Sequence, residues 1–140
     1  MTNPWQARFG FDFDPRYRWP LSLLGIRPGN CGLIVTERAL RVRFGPWQLT
    51  TGLHNVSGAK VTGPYTALKV IGPHVSLADR GLSFGTNTRR GLCVTFHQPV
   101  RGGEPTGLLC HPGLTVTVSD PDALAEQLRS HLRSSQPARG

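Results

Sequence analysis

Lysine and carboxylate are scarce in this chain. Only Lys60 and Lys69 are lysine, against 14 arginines, and the 8 acids leave a formal net charge of +8 over 140 residues. So few acids, three of them grouped at Asp120, Asp122 and Glu126, supply no pair for general acid–base work. Cysteine is sparse too. Cys31, Cys93 and Cys110 are odd in number, widely spaced and outside any C-x-x-C pair, the pattern of reduced thiols and not of a disulfide framework or zinc site. No apolar run approaches the roughly 20 residues that span a bilayer. Asp12, Asp14 and Pro15 fall where a signal peptide is apolar, so the expected compartment is the cytoplasm and the sequon at Asn55-Val56-Ser57 is a chance match.

Turn formers, by contrast, are plentiful: 17 Gly and 12 Pro, with 38% hydrophobic residues. Glycine and proline break helix interiors and punctuate short strands, which points to one mainly β domain. A chain of this length buries roughly two thirds of its unfolded surface, enough for one core. The positive charge is spread over the body: residues 1–43 carry seven basic and three acidic groups, 44–118 six and two, 119–140 three of each. Such a field draws phosphates, membrane surfaces and acidic partners, and it also keeps a protein dispersed.

Phe9, Phe11 and Phe13 alternate with Arg8, Gly10 and Asp12, which places three rings on one strand face. Arg16 to Ile26 then reads as a segment docked on the core, Trp19 included, and ends in the turn cluster Arg27-Pro28-Gly29-Asn30. A hairpin follows, from Leu33-Ile34-Val35-Thr36 to Ala39-Leu40-Arg41-Val42-Arg43-Phe44, with Leu40, Val42 and Phe44 on one face and Ala39, Arg41 and Arg43 on the other. Val56–Thr62 is a strand in which Gly58 marks a bulge or a close backbone approach. Short strands are expected over 67–71 and 75–78. Leu82-Ser83-Phe84, the polar tip 85–91 and Leu92–Phe96 read as a second hairpin, 98–113 as a loop, and Leu114–Val118 as a strand with its threonines outward. Ser119-Asp120-Pro121-Asp122 then supplies a helix cap, a proline at the first helical position and an acid near the positive end of the dipole. Leu124, Leu128 and Leu132 stripe the helix that follows.

Val35-Thr36-Glu37-Arg38-Ala39-Leu40-Arg41-Val42-Arg43-Phe44-Gly45 resembles the VT-x-R-x-L-x-V-x-x-G hairpin of bacterial pleckstrin-homology-like domains. Val56 lies where they place an I-x-x-V strand, and Ser119-Asp120-Pro121 before a leucine-striped helix is similar to their closing element. The chain also resembles short actinobacterial proteins, which fits its arginine bias. The resemblance implies a mainly β fold: a bent antiparallel sheet or PH-like barrel of about seven strands, capped by one C-terminal α-helix. Residues 1–31 are then an N-terminal segment with one strand packed on the sheet, 32–133 the PH-like domain and 134–140 a flexible tail. In eukaryotic members a K/R-x-R pattern in the first hairpin grips inositol phosphates. Arg41-Val42-Arg43 has that spacing, although the preceding strand, Leu33–Thr36, lacks the basic residue those members carry. Bacterial members imply protein contacts or self-assembly.

Catalytic motifs dissolve on inspection. Gly81-Leu82-Ser83-Phe84-Gly85 matches the G-x-S-x-G nucleophile elbow but leads into a polar tip and a strand instead of a helix. Ser57-Gly58-Ala59-Lys60 matches S-x-x-K, yet Gly58 and its β-forming neighbours oppose the helical turn that chemistry needs. Cys93 and His97 on one strand are roughly 13 Å apart, too far to share a metal. Neither a metal nor a cofactor is expected. The best contact candidates are Arg41 and Arg43 with Arg89 and Arg90, because guanidinium groups pair bidentately with carboxylate or phosphate. The expected function is non-enzymatic binding or assembly with a protein partner or a second copy. An anionic ligand (lipid headgroup, phosphate metabolite or nucleic acid) taken through the arginine hairpins is the alternative, with an anionic membrane surface as a candidate partner and nucleic acid the least favoured.

Overall fold

The hairpin read from Leu33 to Phe44 is the centre of a four-stranded antiparallel sheet. In the computed structural model, which describes residues 7–65, 71–75, 81–101 and 110–135, this sheet runs in chain order: β1 (Ala7–Phe9), β2 (Cys31–Val35), β3 (Ala39–Phe44) and β4 (Trp47–Gly52). Alternation sets its faces: Leu40, Val42 and Phe44 are buried, and Arg41 and Arg43 are exposed. The Thr36 hydroxyl accepts from the backbone N–H of Ala39 at 3.0 Å and closes the β2–β3 turn.

The second sheet holds β5 (Val56–Thr62), β6 (Gly72–Val75), β7 (Leu82–Gly85), β8 (Gly91–Arg101) and β9 (Cys110–Val116), in the order β5-β8-β9-β7-β6. The expected bulge at Gly58 is present as a register shift between Val56 and Gly58. The expected β7–β8 hairpin does not form. β9 lies between the two strands, antiparallel to β8 and parallel to β7. Nor is 98–113 a loop throughout, since β8 extends to Arg101 and β9 begins at Cys110. Pro99 and Pro112 flank the register shift between Thr95 and Val100, the place where strands that each lack an N–H can still pair. The strand expected over 67–71 and most of that over 75–78 lie outside the described residues, as does most of the tail.

Among the described residues no strand of one sheet pairs with a strand of the other. Just beyond β1 and β9 the isolated antiparallel bridge Phe11–Val118 links them, with Asp12 N–H bonding Thr117 C=O at 3.0 Å and Ser119 N–H bonding Gly10 C=O at 2.8 Å. The expected closed barrel of antiparallel strands is replaced by two sheets and one parallel pair. The reason is local. After β4 the chain leaves its sheet through a single helical turn, Leu53–Asn55, and the Asn55 amide bonds the backbone of Gln98 in both directions, at 2.9 and 2.8 Å. These side-chain bonds tie the β4–β5 connection to β8, and no ladder joins β4 to β5. The sheets also meet through aromatic packing: Phe44 of β3 stacks on Phe84 of β7 at 4.8 Å between centroids, and Phe11 tilts onto Phe44 at 5.3 Å.

Among the described residues two α-helices close the structure, where the sequence suggested one. The C-terminal helix α2 (Pro121–Ser135) starts as expected, with the Asp120 carboxylate accepting from the Ala123 N–H, and it buries Leu124, Ala125 and Leu128 against β5 and β8. The unexpected helix is α1 (Pro15–Leu23). Asp14 caps it through the Arg16 N–H, and Gly25, at φ 81°, ends it. There Gly25 N–H bonds Ser22 C=O, Ile26 N–H bonds Leu21 C=O, and Leu21 and Ile26 are both buried, a complete Schellman stop. Gly45, at φ 60°, lies against this stop: a Cβ there would come within 2.8 Å of the Gly25 carbonyl oxygen. The α1 terminus is thereby pinned to the β3–β4 turn. The alternation of Phe9, Phe11 and Phe13 accordingly yields only a three-residue strand, with Phe11 in an isolated bridge to Val118.

Because Phe84 is fully buried and stacks on Phe44 across the two sheets, Phe84→Ala is expected to lower the unfolding free energy by about 3–5 kcal/mol, measured by urea denaturation.

Candidate functional site

On the outer face of the first sheet, strand pairing sets Arg41 between Ile34 and Thr50, and Arg43 between Gly32 and Gln48. Arg8 of β1 pairs with Ile34, so an exposed third arginine flanks the row. Gly32 offers no side chain beside Arg43. The result is a depression of about 550 Å³, with Gly32 and Ile34 between strands and Arg41, Arg43, Gln48 and Thr50 around them. Arg101, at the end of β8 in the other sheet, completes its lining. Among the described residues no carboxylate pairs with Arg41, Arg43 or Arg101.

Two arginines two residues apart on a strand stand about 7 Å from one another, where their repulsion in water is about 0.6 kcal/mol. An anion placed at about 4 Å from either guanidinium gains about 1 kcal/mol in bulk water and about 4 at a protein surface. Attraction to a shared anion therefore outweighs the repulsion that it relieves.

Arg89 and Arg90 do not join this group: neither lines the depression. Arg89 binds the Asp12 carboxylate at 2.6 Å with Asp14 at 4.0 Å, and Arg90 pairs with Asp122 in the first turn of α2. The Asp12 carboxylate raises the Arg89 pKa, first through their hydrogen bond and then through its charge. Both arginines sit on a turn that the sequence suggested as an exposed polar tip. Thr86 and Asn87 are instead buried. The Thr86 hydroxyl and the Asn87 amide both donate to the Asp12 carbonyl, at 2.7 and 2.8 Å, and Asn87 Oδ1 accepts from the Arg89 N–H at 2.9 Å. Thr117, expected to face outward, is buried because its hydroxyl accepts from the Thr86 N–H at 2.7 Å. This knot ties the β7–β8 connection to residues 12–14 and to the strand before α2.

The motifs set aside in the sequence lie on strands. Ser83 is in the middle of β7, paired with Thr115, without the strand-to-helix turn of a nucleophile elbow. It lines a trough of about 370 Å³ on the outer face of the second sheet, together with Cys93, Thr95, Gly113 and Thr115. No histidine or carboxylate is among the residues lining it. Ser57 and Lys60 lie on β5, and no cluster of three metal-ligating side chains occurs among the described residues.

Sequence reading missed Gly32, Arg8 and Arg101 as members of the arginine face. Register alone brings Arg8 and Gly32 there, and Arg101 comes from the other sheet, so no local spacing announces it. The docked segment read around Trp19 is corrected as well: Leu21 points inward while Trp19 and Leu23 remain largely exposed, because α1 turns only one face to the core.

Asn87→Ala, which removes a buried amide from three partners, is expected to cost about 1–3 kcal/mol in urea unfolding. Cys31 gives a second test. Burial pushes its thiol pKa up, against smaller lowering by backbone N–H groups of Gly45 and Arg27 and by Arg43. Its contribution to stability is complete below the ordinary thiol range and falls as pH rises through that range, where the unfolded chain binds fewer protons. At mildly alkaline pH, iodoacetamide should modify Cys31 several-fold more slowly than Cys93, as read by peptide mass spectrometry.

No family model matches this chain, and no curated protein or solved structure is significantly similar to it.

Proposed function

We propose that this chain is a non-enzymatic binding module of pleckstrin-homology-like type, and that the outer face of its first sheet takes a multiply charged anionic group of the phosphate class. The observation that carries the proposal is the depression beside Gly32, where Arg41, Arg43 and Arg101 meet without a carboxylate partner among the described residues. Three guanidinium groups match a phosphate monoester of nearly two charges better than a single carboxylate. The four-strand meander and the closing helix support the family reading, while the separate sheets and the parallel β7–β9 pair depart from it.

Recognition here is by charge and shape. Arg41 and Arg43 are held in register by the inward packing of Leu40, Val42 and Phe44, so their guanidinium groups start from fixed Cα positions. Gly32 leaves the space that an oxyanion fills.

Calorimetry with tripolyphosphate as a soluble probe tests this. Binding should weaken steeply from low to physiological salt. Arg41→Glu/Arg43→Glu should lose at least about tenfold in affinity, equivalent to about 1.4 kcal/mol. Gly32→Leu should lose affinity by filling the depression; a Cβ at this position meets only the Phe9 carbonyl oxygen, at 3.8 Å, so the fold tolerates it. Arg90→Ala should bind as wild type. Equal affinity of the Arg41→Glu/Arg43→Glu protein and wild type overturns the proposal.

A further inference from the structure

The largest exposed apolar side chains among the described residues are Trp19, Leu23 and Leu24, at 72%, 69% and 53% exposure, and all three belong to α1 and its C-terminal cap. Trp19 and Leu23 are four residues apart and share one helix face. The opposite face carries Leu21, which is buried and helps to anchor the helix. Three apolar groups are thus held outward on a short helix that is fixed at one end by the Asp14 cap and at the other by the Gly25 stop against Gly45.

The charge carried by this segment of the chain has one sign. Arg16, Arg18 and Arg27 are exposed, and the sequence contains no acid from Pro15 to Thr36. The nearest carboxylate, Asp14, is turned inward: its side chain is 14% exposed, accepts from the Arg16 N–H and lies 4.0 Å from Arg89. Tryptophan with flanking leucine and arginine is the composition that settles at a bilayer interface, the ring at headgroup level, the aliphatic groups just below it and the cations on lipid phosphates. An exposed helix face with few apolar groups suits that medium, since a bilayer supplies its own depth and needs no groove on the protein.

We infer that α1 is a membrane-docking element: Trp19, Leu23 and Leu24 enter the interfacial layer of an anionic bilayer while Arg16, Arg18 and Arg27 engage its headgroups. The net charge of +8 adds long-range attraction to the same surface. This site is separate from the arginine depression and stands on its own observations.

Cosedimentation of the full chain with vesicles tests the inference, using phosphatidylcholine alone and phosphatidylcholine mixed with phosphatidylglycerol. The wild type should partition to the mixed vesicles and not to phosphatidylcholine, with a blue shift of tryptophan emission. Trp19→Ser/Leu23→Ser should lower that partition by at least about tenfold, since each buried apolar side chain contributes strongly to interfacial affinity. Both positions are exposed, so circular dichroism should be unchanged, as should tripolyphosphate binding. Arg41→Glu/Arg43→Glu tells the two sites apart, because it should abolish tripolyphosphate binding while vesicle binding that depends on Trp19 persists. Equal partition of the Trp19→Ser/Leu23→Ser protein and wild type overturns the inference. So does failure of the wild type to bind mixed vesicles, or a self-association in sedimentation equilibrium that Trp19→Ser/Leu23→Ser removes, which would make a second copy the occupant.

Discussion

The burial of Phe44 is the constraint on which the rest of the molecule depends. Its ring meets Phe84 from the second sheet and Phe11 from the segment after β1, so one side chain of β3 packs on both sheets where no ladder joins β3 to β7. Sheets joined by one isolated bridge and no strand ladder rely heavily on side-chain packing, and a stacked aromatic contact supplies both area and orientation. The surrounding contacts are consistent with this arrangement. Leu40 and Val42 of the same strand are fully buried, and the β3–β4 turn that follows Phe44 receives the end of α1.

Period-two geometry carries that inward demand to the outer surface. Once Leu40, Val42 and Phe44 face the core, Arg41 and Arg43 have no choice of face, and a slip of one residue in register would bury both charges. The arginine face is therefore a consequence of core packing as much as of surface chemistry. What distinguishes it from a merely solvated sheet is the company it keeps: a glycine opposite Arg43, and Arg101 arriving from the other sheet. Arg89 and Arg90 show the contrasting case. Their charges are engaged by Asp12 and Asp122, close to the buried Thr86 and Asn87, and their part is to fasten connections.

Legibility in the sequence followed the range of the interaction. The β2–β3 hairpin, the bulge at Gly58 and the α2 start at Asp120-Pro121 were readable because alternation, a lone glycine and a cap are local signals. The place of β9 between β7 and β8 was not, since Leu82–Phe84 and Leu92–Phe96 look like the arms of a hairpin, and only the tertiary fold inserts a third strand between them. The burial of Thr86, Asn87 and Thr117 was hidden for the same reason. Polar residues signal exposure unless partners far along the chain satisfy them, and here the partners come from residues 12 and 117. Half of the arginine site, Arg41 and Arg43, was visible on one strand; Arg101 was not.

The first helix teaches a different lesson, because its signals were local and still went unread. Asp14-Pro15 repeats the Asp-Pro start of α2, and Gly25 stands where a helix stop needs a left-handed residue. Two features obscured them. The alternation of Phe9, Phe11 and Phe13 suggests that a strand runs on to residue 13, and Pro20 argues against a helix through the middle of the segment. Pro20 is accommodated because α1 is only nine residues long and is secured at both ends by side-chain and backbone bonds. Its helical pattern is also inverted with respect to α2. There, leucines at four-residue intervals face the core. Here Leu21 faces the core, and Trp19 and Leu23, again four residues apart, face away. A search for the buried stripe alone passes over a helix whose apolar spacing is directed outward. That outward direction, beside three arginines and no exposed acid on the helix, sets α1 apart from an element that merely closes the core.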